Sequence, residues 1–335
     1  MKVAINGFGR IGRCFLRATL NDRPFRRKFK IVAINDLTDA GTLAHLLKRD
    51  SVHGTIRNSI SAQGDEIKID KDKIKVFAER DPQKLPWKKL GVDIALESTG
   101  LFRDWDGAAL HLKAGAKRVI ISAPPSGTKR VKQIVPGVND NFFDKKSADD
   151  RIISMASCTT NCLAPMAKVL NDRFGIENGL MSTVHAYTND QKILDLPHKD
   201  LRRARACAES IIPTTTGAAK SIGEVIPELK GKLDGISLRV PVPDGSMVDL
   251  TVSLKTAASK EEINKSFLLA SKKMKGILEY ADWPVVSRDI IGNPASCIFD
   301  PEFTKVIGNT AKVFGWYDNE WGYSNRIKDL MKHIA

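Results

Sequence analysis

The stretch MKVAINGFGRIGR, residues 1–13, decides how the first half of the chain is read. Its run from Lys2 to Asn6 is short, apolar and rich in β-branched residues, as a strand buried on both faces of a parallel sheet must be. A GxGxxG follows at once, with Gly7, Gly9 and Gly12 enclosing Phe8, Arg10 and Ile11, and a helical pattern then continues through Leu20. Gly7 permits a tight turn, Gly9 lets the backbone come close to a pyrophosphate, and Gly12 lets the helix lie against the strand. The helix start offers N–H groups and a partial positive charge to phosphate oxygens. A second strand pattern, IVAIN at residues 31–35, ends on Asp36. A carboxylate there can accept from both hydroxyls of an adenosine ribose and repels a 2′-phosphate. The spacing therefore predicts a dinucleotide site that takes NAD rather than NADP.

Further strand patterns lie at residues 75–78, 92–97, 118–122 and 151–154, separated by helical or polar stretches and several ending in small or polar residues. Strand–helix alternation of this kind predicts an α/β fold with a doubly wound parallel sheet and its ligand at the carboxyl ends of the strands. A chain of 335 residues exceeds one ordinary core and predicts two domains. In the second half, residues 248–254 alternate apolar and polar, and Ser259 with Glu262 forms a capping-box pattern before a helix that Gly276 can end.

Hydrophobic residues make up 42% and charged residues 27%, the balance of a water-soluble globular protein. No apolar run reaches the roughly 18 residues that a bilayer span needs, so no membrane association is expected. No basic-then-apolar leader precedes the first strand pattern, and the expected location is cytoplasmic. Five cysteines, an odd count in a long chain, argue against a disulfide framework. The net charge of +14 gathers in RPFRRKFK (23–30), KRVK (129–132), KDLRRAR (199–205) and residues 272–275. These clusters carry no nucleic-acid motif. They read as solvated surface that attracts small anionic substrates, with incidental polyanion binding as the other reading and no specific nucleic-acid partner expected.

Near the middle, SMASCTTNCLAP (154–165) opens a helical pattern. Ser157 is a suitable N-cap, which puts Cys158 in the first turn, where free N–H groups favour thiolate over thiol. Pro165 is at odds with a helix interior, so either the regular helix starts after Ser157 or it bends. Cys158 and Cys162 stand four apart and share a helix face. They lack the second pair or the histidines that zinc requires, so no metal site is expected, and a redox pair is more usually CxxC. Cys162 reads as a packing residue and Cys158 as a nucleophile in want of a base. Among the histidines His45, His53, His111, His185, His198 and His333, His185 ends an apolar strand pattern and opens HAYTND. Strand-end histidines are also commonly structural, and context alone leaves both roles open.

Together, SCTTNC, HAYTND and the opening fingerprint closely resemble the phosphorylating glyceraldehyde-3-phosphate dehydrogenases. The resemblance runs over essentially the whole chain, through INDLTD, FAERDP, ESTG, VHAYTNDQKILDLPHKDLRRARA, IIPTTTGAAK, LRVPVP and WYDNEWGYS. It implies a Rossmann domain for NAD over residues 1–157 and an α+β catalytic domain with a mostly antiparallel sheet over 158–318. A closing segment, 319–335, is implied to pack back on the first domain. Cys158 is implied as the nucleophile and His185 as its activator and later acid and base. Ser157, Thr159, Thr188, Arg203, Thr216, Gly217 and Arg239 match positions that bind substrate phosphate or inorganic phosphate. Gly7, Gly9, Arg10, Ile11, Gly12, Asp36, Arg80, Ser122 and Asn319 match positions at NAD. Residues 188–208 match a loop that crosses between subunits of a homotetramer, and Leu196-Pro197 fits the NAD-using pattern.

The implied chemistry oxidises an aldehyde. Thiolate attack on the carbonyl gives a thiohemiacetal that can lose hydride, a base takes its hydroxyl proton, and the resulting thioester is cleaved by inorganic phosphate to an acyl phosphate. Arginine suits the two anionic groups because its planar fork binds phosphate oxygens in pairs. Two alternatives are carried: an erythrose-4-phosphate dehydrogenase, in which the stretch after the histidine should depart from AYTND, and a polyanion-binding protein that retains the fold, which the intact Cys158 and His185 disfavour as a sole role.

Overall fold

The computed structural model describes all 335 residues, Met1–Ala335. It divides into two compact units. The first holds Met1–Ile134, Asp140–Ala156 and Ile327–Ala335; the second holds Val135–Asn139 and Ser157–Arg326.

The first unit opens with β1 (Lys2–Asn6), α1 (Arg10–Leu20), α2 (Arg23–Lys28), β2 (Lys30–Asn35) and α3 (Ala40–Lys48). A small two-stranded ladder, β3 (Arg49–Asp50) with β4 (Gly54–Thr55), leads to the meander β5 (Ile60–Gln63), β6 (Glu66–Ile69) and β7 (Asp72–Phe77). Then come α4 (Trp87–Leu90), β8 (Ile94–Glu97), α5 (Trp105–Lys113), β9 (Arg118–Ile121), β10 (Lys132–Gln133) and β11 (Ile152–Ser154). The nine sheet strands run in the order β10-β11-β9-β8-β1-β2-β7-β6-β5. Every neighbouring pair from β10 to β7 is parallel; β6 alone runs the other way, and β5, antiparallel to β6, runs with the rest. Beginning from the centre, the chain builds outward through β2 and β7 and then returns to place β8 on the other side of β1. The strand order thus reverses at β1, where an open α/β sheet leaves a ligand crevice at its carboxyl ends.

Val3, Ala4, Ile5, Ile94, Ala95 and Leu96 are wholly buried, which is why both strands read as unbroken apolar runs. The β5–β6 hairpin was not among the expected strands. Its segments ISAQ and EIKI expose alternate residues, so they carry half the apolar signal of the central strands.

The second unit begins with α6 (Cys158–Phe174) and β12 (Ile176–Ala186), followed by β13 (Ile212–Thr215), α7 (Ala218–Val225), β14 (Leu233–Val240) and β15 (Ser246–Leu254). It continues with α8 (Lys260–Lys273), β16 (Leu278–Tyr280), β17 (Cys297–Ile307) and β18 (Thr310–Tyr317); α9 (Trp321–Ile334) starts here and ends in the first unit. The seven strands take the order β13-β14-β12-β15-β18-β17-β16, antiparallel except for β12–β14 and β16–β17. The fold is therefore the expected pairing of a parallel doubly wound sheet with a mostly antiparallel one.

The helix after Ser157 starts at Cys158 and continues through Pro165 to Phe174, with Ser157 Oγ accepting from the Thr160 N–H at 2.9 Å. Proline removes one helical donor, but residues from Thr159 to Ala167 are buried in a single block that holds the helix on course. The capping box at α8 forms as read: Ser259 N–H donates to Glu262 Oε2 at 2.8 Å, and Glu262 N–H donates to Ser259 Oγ at 3.2 Å.

Candidate active site

In the first unit, α1 starts directly after the glycine turn. Its N-cap is Gly9, with no side chain capping the first N–H groups. Gly7 has φ +88°, a region that glycine enters without strain, and a Cβ there would meet Thr99 N at 2.6 Å. A Cβ on Gly12 would overlap the carbonyl oxygen of Gly7. A Cβ on Gly9 would meet nothing within 4 Å, so the turn presents an open cradle beside a helix start whose N-cap residue has no side chain. The Asp36 carboxylate is held by the Phe8 N–H at 2.8 Å and the Thr38 N–H at 3.0 Å, which fixes both oxygens while leaving each a lone pair for a ribose hydroxyl. These features fit a dinucleotide.

The other positions assigned to NAD divide. Ile11 lies in the first turn of α1. Arg10 turns its guanidinium onto the buried Asp50 in a two-bond pair. Burial would push the Asp50 carboxyl up, but Arg10 and the N–H groups of His53 and Val52 together hold it at about 2. Ser122 follows β9 and donates to Glu97 O at 3.1 Å. Arg80 is exposed beyond the end of β7. Asn319 belongs to the second unit, buried, with its Oδ1 accepting from Ser246 Oγ at 2.6 Å.

In the second unit, Cys158 Sγ lies 3.4 Å from His185 Nε2. The start of α6 positions the thiol, and the end of β12 positions the imidazole. On the far side of the ring, Nδ1 is 2.7 Å from Ala186 O and 2.6 Å from Arg239 Nη1, which itself donates to Ala186 O at 3.1 Å. Nδ1 thus stands between an acceptor, the Ala186 carbonyl, and a donor, the Arg239 guanidinium. With its proton on Nδ1, donated to Ala186 O, the neutral ring turns an Nε2 lone pair toward the thiol. Arg239 stands opposite His185 because β12 and β14 pair in register there.

The electrostatics differ from the expectation for a helix start. Burial pushes the Cys158 thiol up, and the pull of Arg239 and of the Thr159 N–H toward thiolate is smaller. Burial, then Arg239, drives His185 down to about 3, against the Ala186 carbonyl and Glu320. The free protein therefore holds a neutral thiol–imidazole pair. The thiolate expected from the helix terminus is opposed by desolvation that the local sequence does not encode.

Among the positions assigned to phosphates, Arg203 donates to Thr214 Oγ1 at 2.9 Å and pairs with Asp190. Thr188 follows the end of β12, its N–H donating to Gln191 Oε1 at 3.2 Å. Gly217 is the N-cap of α7, without a side-chain cap, and Thr216 Oγ1 accepts from the Ala218 N–H at 3.2 Å. Ser157 and Thr159 have internal partners instead: Ser157 caps α6, and the buried Thr159 hydroxyl bonds Tyr317 Oη at 2.9 Å. Tyr317 was given no role by the sequence, yet its Oη also bonds Thr183 Oγ1 at 2.9 Å, and its ring lies edge-on to His185. Ser246 was likewise missed. Its hydroxyl accepts from the Ala186 N–H at 3.1 Å and links the residue after His185 to Asn319. Buried small polar residues of this kind leave no periodic signature.

A parallel sheet with an open glycine cradle and an acid on the next strand, joined in one chain to a thiol–imidazole pair, defines an NAD-dependent oxidoreductase of the cysteine-dependent aldehyde type. Residues 1–105 match the NAD binding domain of glyceraldehyde 3-phosphate dehydrogenase, and residues 157–319 match its C-terminal domain. Glyceraldehyde-3-phosphate dehydrogenase from Mycobacterium bovis (strain BCG / Pasteur 1173P2) is 57% identical, covering 100% of this chain and 98% of its own. Glyceraldehyde-3-phosphate dehydrogenase 2 of Streptomyces avermitilis is 54% identical and the Streptomyces coelicolor enzyme 55%, each with the same coverage. The chain belongs to the glyceraldehyde-3-phosphate dehydrogenase family, and its activity is the NAD-dependent glycolytic oxidation of glyceraldehyde 3-phosphate. The four-carbon alternative is not favoured.

Proposed function

We propose that Cys158 is the nucleophile of this reaction and His185 its proton partner, a reading carried by the 3.4 Å approach of Sγ to Nε2. As sulfur attacks the aldehyde carbon, Nε2 takes the thiol proton and returns it to the carbonyl oxygen, giving the hydroxyl of a thiohemiacetal. Nε2 next takes that hydroxyl proton as the carbon's C–H bond breaks with loss of hydride, leaving a thioester on Sγ. Bound NAD supplies the hydride acceptor. Inorganic phosphate then attacks the thioester carbon and releases the acyl phosphate and the Cys158 thiolate.

Arg239, with Arg203 and Thr188, is proposed to hold the substrate phosphate. An anion on Arg239 offsets the positive charge that opposes protonation of His185, so binding favours the proton transfer it precedes. Thr216 and Gly217, at the start of α7, are proposed for inorganic phosphate, with Ser157 and Thr159. Arg10, Ile11, Asp36, Arg80, Ser122 and Asn319, with the three turn glycines, are proposed to contact NAD.

The proposed assembly is a homotetramer. Between residues 188 and 211 the chain leaves Ile193, Leu194, Leu196, Leu201 and Ile211 at 57–80% exposure, apolar surface that fits coverage by another copy. The proposed compartment is cytoplasmic, consistent with five cysteines of which none is in a disulfide; no helix is long and apolar enough to cross a membrane.

The test is NADH formation from glyceraldehyde 3-phosphate. Without phosphate we expect one NADH per Cys158, with phosphate continuous turnover, and with Cys158→Ser neither. Continuous turnover without phosphate, or activity retained by Cys158→Ser, would overturn the reading.

A further inference from the structure

Glu97, the last residue of β8, is 1% exposed and takes no part in the steps above. Its carboxylate accepts from four donors: Asn6 Nδ2 at 2.6 Å, His111 Nε2 at 3.1 Å, the Thr99 N–H at 2.8 Å and the Thr99 hydroxyl. The proton directions around it are all determined. Trp87 Nε1 lies 3.0 Å from His111 Nδ1 and can only donate, so Nδ1 accepts and the ring proton sits on Nε2, facing Glu97. Asn6 Oδ1 accepts from Asn35 Nδ2 at 2.7 Å, which turns the Asn6 NH2 toward Glu97. Thr99 Oγ1 accepts from the Leu101 N–H at 3.0 Å and gives its own proton to Glu97.

These bonds end on the glycine turn. The backbone of Ser98 and Thr99 is what lies against Gly7, with Thr99 N and Ser98 C at 2.6 and 2.7 Å from where a Cβ would stand. Ser98 Oγ donates to Gly7 O at 2.6 Å. Asn35 extends the network to the backbone of Glu79, its Nδ2 donating to Glu79 O at 2.8 Å and its Oδ1 accepting from the Glu79 N–H at 2.9 Å. One buried acid therefore ties the ends of β1, β2 and β8 and the segment after β7 to the turn.

We propose that Trp87, His111 and Glu97 are positioning residues for the dinucleotide site: they set NAD affinity by holding Ser98 and Thr99 against Gly7, without touching the cofactor. The inference rests on NAD binding at the glycine turn. It explains why an acid, and not its amide, occupies position 97. A glutamine NH2 at the Oε2 position would meet the donors of His111 and Asn6, and at the Oε1 position it would meet the Thr99 N–H. Either orientation sets donor against donor, at a cost comparable to a lost buried bond.

The test uses the full-length protein with Glu97→Gln, His111→Leu and His111→Gln. NAD Kd is measured by titration calorimetry, the KM for glyceraldehyde 3-phosphate at saturating NAD, and the thermal midpoint without NAD. We expect Glu97→Gln and His111→Leu to weaken NAD binding about 10- to 100-fold while the aldehyde KM stays within about twofold. His111→Gln keeps one donor and one acceptor and should recover most of the affinity. Should Glu97→Gln fail to fold, the two His111 variants decide. A folded Glu97→Gln with unchanged NAD affinity, equal NAD affinity in the two His111 variants, or a loss confined to the thermal midpoint would each overturn the proposal. Nucleotide binding that is absent from the unmodified protein would instead count against the glycine-turn reading itself.

Discussion

Gly9→Ala and Gly12→Ala alter the same turn by one methyl each, and the structure assigns them opposite consequences. Gly9 has φ −71° and ψ −156°, which alanine adopts, and its added Cβ meets nothing within 4 Å. Alanine restricts the unfolded chain, a gain of about 0.4–1 kcal/mol, and is a poorer N-cap than glycine by a comparable amount. The net change in stability should lie near zero. The methyl nevertheless stands in the cradle. Loss of one charge-assisted bond to a phosphate, about 1.5–3 kcal/mol, weakens NAD about 10- to 150-fold. At Gly12 the added carbon overlaps the Gly7 carbonyl and presses on Ile5 Cγ2 and Ser98 Oγ, each 3.3 Å away. Overpacking of this kind costs about 1–3 kcal/mol, roughly 2–12 °C in a unit of this size. Thermal scans without NAD, beside calorimetric titration with it, separate the two. If Gly9→Ala keeps wild-type affinity, the turn is not the phosphate site; if it melts as early as Gly12→Ala, the space above it is not open.

Cys158 is half-buried where the other four cysteines are buried, so brief iodoacetamide treatment should label it first and abolish turnover; label on another cysteine with activity retained would refute this. Because Arg239 is the strongest pull toward thiolate, Arg239→Gln should move the alkylation profile to higher pH, and an unmoved or lowered profile counts against that role. Asp36→Ala removes the acceptor of the Phe8 and Thr38 N–H groups and should weaken NAD while narrowing its preference over NADP; equal efficiency with both cofactors in the unmodified protein would sink the assignment. Asp244 is pushed up to about 9 by burial and by Asp318, so it is protonated in the fold and ionised in the unfolded chain at neutral pH. Its contribution to stability is complete below the unfolded value near 4 and is lost as pH rises through about 9. Asp244→Asn keeps an acceptor for the Gly245 N–H, so its thermal advantage over wild type should grow from pH 5 to pH 9; a difference flat in pH would refute the protonated acid.

What the sequence shows of this fold is what is local. The strand-turn-helix at residues 2–20 is legible because the apolar run, the glycine spacing and the helical period each act within a few residues, and Ser157 and Ser259 announce their helices by bonds to the third residue on. The hairpin of β5 and β6 is not legible, since half of each strand faces water and the pairing partner supplies the rest of the reason to be extended. The same division separates what was read at Cys158 from what was not. Its place in a first helical turn follows from Ser157 beside it. Its protonation depends on the crowding around its sulfur and on Arg239, delivered by the register of β14 against β12. A helix terminus offers the thiolate a modest stabilisation that acts within one turn. Desolvation opposes that stabilisation and outweighs it here, so a cysteine at a helix start is a position for a nucleophile before it is a thiolate. What turns the one into the other is the proton acceptor 3.4 Å away and, with it, whatever anion occupies Arg239.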